Sequence, residues 1–88
     1  MTSVVTQRVH VQCYGVLEQV CGGLDRELEV PELPLRVDAV LERLATEVPA
    51  LRQYLPRTAC AVGDTIVARS HRLSAGETLV LIPPVSGG

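Results

Sequence analysis

Three thiols (Cys13, Cys21 and Cys60) and two imidazoles (His10 and His71) are the side chains best equipped for chemistry in this chain. A reactive thiol needs a cation or an imidazole beside it, and a zinc site needs four ligands at short, regular spacings. Three thiols cannot all pair, none stands in a C-x-x-C spacing, and the histidines are far apart in sequence. The expectation is therefore reduced cysteines acting as small buried apolar residues, with no disulfide framework and no metal. Glu27, Glu29, Glu32, Glu42 and Glu47 read as solvated faces, and Arg69, His71 and Arg72 as a solvated basic cluster in a loop. No phosphate loop, G-x-S-x-G or paired-acid motif is present. The informative chemistry sits at the other extreme of reactivity, in the run Leu79-Val80-Leu81-Ile82-Pro83-Pro84-Val85-Ser86-Gly87-Gly88. Two prolines stiffen and extend an exit from a strand. Two glycines then carry no side chain, so Gly87-Gly88 can thread a narrow channel and expose the Gly88 carboxylate to attack. A terminal Gly pair alone is weak evidence, since it arises by chance about once in 200 chains.

Something must hold such an arm in place. Val9, Val11 and Cys13 alternate with Arg8, His10 and Gln12, the period-two pattern of a half-buried strand ending at an outward Tyr14. Gly15 breaks it. Val16 to Cys21 then reads as a short helix with Val16, Leu17, Val20 and Cys21 on its inner side, stopped by a left-handed cap at Gly22-Gly23. Leu24 to Val30 predicts a second strand. Val37, Val40, Leu41, Leu44 and Val48 recur at helical spacing and form one apolar stripe, with Asp38 in the first turn and Pro49 at the end. Leu51, Tyr54 and Leu55 predict a further irregular turn. Thr58 to Val62, the Gly63-Asp64 turn and Thr65 to Ala68 predict two strands, the latter at an edge. Arg69 to Glu77 reads as a loop anchored by Leu73. Thr78 to Ile82 predicts the last strand, with Leu79 and Leu81 on one face and Val80 and Ile82 on the other. Pro83-Pro84 ends sheet pairing. The expected fold is an α+β roll with four or five strands and one main helix, comprising a body over residues 1–82 and an arm over 83–88.

Composition narrows the partners. The chain has 88 residues and a formal charge of −2, with all eight basic residues Arg and ten acids. That is one domain's length. The only aromatics are Tyr14 and Tyr54, so a nucleic-acid face, which needs net positive charge and stacking rings, is not expected. The apolar runs are far shorter than the roughly 20 residues that span a bilayer, and the first residues lack the pattern of an export signal. No membrane association and a cytoplasmic location are expected.

The closing run resembles the terminus of the small subunit of molybdopterin synthase, a ubiquitin-like sulfur carrier. Leu73 followed by Gly76-Glu77 resembles that family's turn before its last strand, and Val62 to Val67 falls where the family has a short β-turn-β element. The resemblance implies a β-grasp roll with a mixed four- to five-stranded sheet. It also implies the chemistry. An ATP-dependent adenylating enzyme activates the Gly88 carboxylate, and a protein persulfide displaces AMP to leave a thiocarboxylate. The loaded arm then enters the large synthase subunit and gives its sulfur to a pyranopterin precursor of the molybdenum cofactor. The chain would be a sulfur-donating subunit with no permanently bound cofactor, ATP being used by the activating partner. Gly88 would carry the acyl group and Gly87 give clearance, while Ile82, Pro83, Pro84, Val85 and Ser86 guide the arm. Ile82 and Tyr14 fall where the family carries apolar docking residues, often Phe, which this chain lacks.

Two other readings compete. Carriers for thiazole, cysteine or tRNA thiolation share the fold and the Gly-Gly end; the Pro83-Pro84 pair favours the molybdopterin branch, because thiazole-type tails usually have a single proline there. The second is a β-grasp interaction module whose tail is never activated. The lack of Lys fits a carrier with an electrophilic tail, but an Arg-favouring codon bias explains it better.

Overall fold

The computed structural model describes residues 7–84. The elements are β1 (Gln7–Cys13), α1 (Val16–Cys21), β2 (Asp25–Val30), β3 (Leu35–Arg36), α2 (Val37–Glu47), 3-10 segments over Pro49–Gln53 and Leu55–Arg57, β4 (Ala59–Val62), β5 (Thr65–Val67), β6 (Arg72–Leu73) and β7 (Thr78–Ile82). The main sheet is five-stranded in the order β2-β1-β7-β4-β5. β7 runs parallel to β1 and antiparallel to β4, with Val11 opposite Leu79 and Cys60 opposite Leu81. β5 lies at one edge, as expected.

Alternation in the strands puts one row of side chains under α2. Val9, Val11, Cys13, Leu28, Val30, Cys60, Leu79 and Leu81 meet Val37, Val40, Leu41 and Leu44 of the helix in a single aliphatic core. Each such side chain contributes roughly 1.5–3 kcal/mol on burial, and the absence of Phe and Trp leaves Leu and Val to fill the volume. The α2 stripe is the one its spacing predicts. Gly22, at φ 82°, closes α1 as a left-handed cap, its N–H donating to Gln19 O and that of Gly23 to Glu18 O.

Four expectations need correction. Val16 is 44% exposed and does not share the inner side of α1, which buries Leu17 and Cys21. Arg69–Glu77 is not purely loop: β6 pairs antiparallel with β3, Leu35 opposite Leu73, in a second, two-stranded sheet. Arg69 is not part of a solvated cluster. Its guanidinium turns inward and donates from Nη2 to Leu55 O (2.5 Å) and Thr58 O (2.8 Å), tying the 3-10 turn to the β5–β6 connection. The irregular turn after α2 begins at Pro49 and comprises both 3-10 segments. All three thiols are buried. Burial, reinforced by contact with the Cys21 thiol, pushes the Cys13 thiol up to about 12, and burial also raises that of Cys60.

Candidate functional site

The outward face of the sheet is divided by chemistry. Cross-strand neighbours place Ile66, Ala61, Val80 and Gln12 in one row, and Ala59 beside Ile82 in the next. Tyr14 extends that second row, because its N–H continues the ladder by donating to Leu81 O at 3.2 Å. The half over β7, β4 and β5 is therefore aliphatic apart from Thr78. On the β2 side Gln12, His10 and Arg8 stand opposite Asp25, Glu27 and Glu29.

Tyr14 and Ile82, brought together from opposite ends of the chain, are 42% and 38% exposed. They border a shallow hollow of about 660 Å³ that also includes Gln12, Asp64 and Val80. Ile66, on the same outward face, is 64% exposed. The Tyr14 hydroxyl donates to Gln12 Oε1 (3.1 Å), and Gln12 Nε2 donates to Asp25 Oδ1 (3.3 Å). His10 Nε2 lies 2.8 Å from that same Asp25 oxygen, and its Nδ1 lies 3.2 Å from Thr78 Oγ1. These polar contacts fix the aromatic ring at the boundary between the two halves of the face. Sequence reasoning named Tyr14 and Ile82 but not the chain of side chains behind the ring, which depends on strand register.

Pro83 is half-buried and Pro84 exposed. The proline following β7 packs on Gly15: a Cβ at residue 15 would stand 2.9 Å from Pro83 Cγ. Gly15 has φ 59° and ψ −135°, a region open essentially to glycine alone. Its role as more than a strand breaker has no signature in the sequence. On this side a cleft of about 770 Å³ opens between the first turn of α1, the 3-10 segments and the two prolines, lined by Val16, Tyr54 and Arg57 among others. Val85, Ser86, Gly87 and Gly88, the remaining expected site residues, lie outside the described residues.

Among the described residues no group of three or more His, Cys, Asp or Glu side chains is placed to hold a metal ion, and no helix is long and apolar enough to cross a membrane.

The sequence matches the ThiS family over residues 11–88. No curated protein matches it. Among solved structures, SAMP1 from Haloferax volcanii superposes with a TM-score of 0.81 at 24% identity, covering 92% of this chain and 99% of that one. A protein described as molybdopterin converting factor, subunit 1, from Pyrococcus furiosus gives 0.78 at 23% identity, covering 90% and 99%. A complex of subunits 1 and 2 of molybdopterin-converting factor from Helicobacter pylori gives 0.62 at 22% identity, covering 93% and 100%. At these identities the likeness is one of fold, the ubiquitin-like β-grasp. With the family match running from Val11, within β1, through the Gly-Gly end, the chain belongs to the ThiS family of ubiquitin-like sulfur carriers.

Proposed function

We propose that this carrier serves molybdenum cofactor synthesis as the small, sulfur-donating subunit of a molybdopterin synthase, acting in the cytoplasm. Gly88 is adenylated by an ATP-dependent activating enzyme, converted to a thiocarboxylate by a persulfide donor, and inserted into the large synthase subunit. ATP belongs to the activating partner, and this chain retains no cofactor. Residues 1–82 serve as the docking body and residues 83–88 as the arm. The observation that carries the reading is the pairing of Tyr14 with Ile82 on an open aliphatic face at the root of a Pro-Pro-Val-Ser-Gly-Gly arm. A partner that covers this face gains by burying the apolar surface that Tyr14, Ile82 and Ile66 still expose. The same register brings the arm to the partner's entrance. Ile82, Pro83, Pro84, Val85 and Ser86 guide it, and Gly87 passes where a side chain would not fit. Likeness in fold to subunit 1 of the Helicobacter pylori pair supports a large-subunit partner.

Likeness to SAMP1 keeps a second pathway for the same arm in view, as do the thiazole, cysteine and tRNA thiolation routes. Intact mass after incubation with an activating enzyme, ATP and a persulfide donor tests the chemistry. A gain equal to replacing one oxygen by sulfur, mapped to Gly88, is expected. Transfer of that sulfur to the large synthase subunit, and not to acceptors of the other routes, tests the pathway. An unchanged mass, with partner enzymes active on a known carrier, would leave a binding module.

A further inference from the structure

The cleft beside Pro83 lies on the opposite side of the arm's root from the Tyr14–Ile82 face, and the two differ in charge. The sheet-face hollow includes Asp64, and another between α2 and the Leu55–Arg57 turn mixes Asp38 and Glu42 with Arg52 and Arg69. Among the described residues, Arg57 is the one charged side chain that lines the cleft. Among the described residues no acid lies within salt-bridge distance of it. Of these three hollows it is the one lined by a cation and no acid among the described residues. Apart from Gln53, the other side chains that line it are apolar or aromatic: Val16, 44% exposed, the half-buried Tyr54, and the rings of Pro56, Pro83 and Pro84. Pro83 and Pro84 are at once cleft wall and first residues of the arm, so a protein that encloses the arm from its root must abut the cleft.

We infer that this cleft is a second docking site for the adenylating enzyme, filled by a segment of that enzyme presenting an apolar side chain beside a carboxylate. The apolar group covers Val16, Tyr54 and Pro83, and the carboxylate pairs with Arg57. Gripped at this cleft, the arm's root is held in one direction while its end is activated, and such positioning is what brings a reacting carboxylate into line. The inference rests on the carrier reading.

ATP-dependent pyrophosphate release, with the full-length protein as the varied substrate of its activating enzyme, separates the two. Arg57→Glu and Val16→Glu change exposed side chains, so folding is retained, as far-UV circular dichroism and denaturation midpoint will verify. Each is expected to raise KM about tenfold with kcat little altered, because the grip lies away from the reacting carboxylate. Arg57→Lys is expected to keep most of the affinity, and added salt to raise the wild-type KM more than that of Arg57→Glu. Arg72→Glu, on the two-stranded sheet, controls for net charge. Unchanged KM in both cleft variants, or an equal rise in Arg72→Glu, with wild-type turnover intact, would overturn the docking site alone. No turnover of the wild-type protein would sink the carrier reading and this inference together.

Discussion

Gly15 and Pro83 are mutually dependent: the glycine occupies a positive-φ conformation, and a Cβ there would sit 2.9 Å from Pro83 Cγ. β1 continues its ladder to β7 through Tyr14 N–H, and β7 ends at Ile82, so the next residues, Gly15 and Pro83, meet. The arm's departure from the body is thereby fixed by a residue at the far end of the chain.

Gly15→Ala should cost about 1–3 kcal/mol through its backbone conformation alone, with a further penalty from the Pro83 ring. Pro83→Ala removes Cγ and should relieve only the second part. Urea midpoints of the two single variants and the double variant form a cycle whose coupling energy reports the contact. Strict additivity would show that the ring yields freely.

Deleting Gly88 should abolish charging while leaving the urea midpoint and partner binding nearly unchanged. A truncated protein that still gained sulfur would place the acceptor elsewhere in the chain.

Tyr14→Asp and Ile82→Asp should weaken binding to the large subunit by tenfold or more, each losing the burial of its exposed apolar surface and setting a carboxylate in the interface. Titration calorimetry would measure it, and wild-type affinity in either variant would remove that side chain from the interface.

Acid and alkali should act through different groups. Hydrogen bonds from Arg36 hold Asp38 below its ordinary 3.8, and those from Arg52 hold Glu42 below its ordinary 4.5. Their contribution to stability is present above those ordinary values and is lost as pH falls through the lower folded ones. Both pairs are exposed, so the decline below about pH 4.5 should be small and should shrink in high salt. Cys13 acts in the opposite sense. Its thiol keeps its proton to about 12 when folded and to 9.0 otherwise, so stability is full below pH 9 and is lost towards pH 12. Iodoacetamide at pH 8 should spare all three buried thiols in the folded protein and modify them in guanidinium. Rapid labelling of the native protein would contradict their burial.

Legibility in the sequence followed the range of the interaction. β7 and the apolar stripe of α2 were readable because alternation and helical spacing are local, and so was the outward setting of Tyr14 and Ile82. β3 and β6 were not, since two residues carry no period. Val16 was misplaced because a six-residue helix does not complete two turns, so its inner side is set by what it packs against. Arg69 read as solvated because its acceptors, the Leu55 and Thr58 carbonyls, come together only once the 3-10 turn has formed. The cleft around Arg57 needed three distant segments to meet and had no trace in composition or motif.

The central position of β7 ties the arm's existence to the body's folding. A nascent or broken chain ending before residue 78 would retain only the β1–β2 and β4–β5 hairpins of the main sheet, and isolated two-stranded hairpins are marginal in water. Partners would then meet no folded carrier lacking the root of its arm, and damaged copies would go to proteolysis instead of competing for the docking surface.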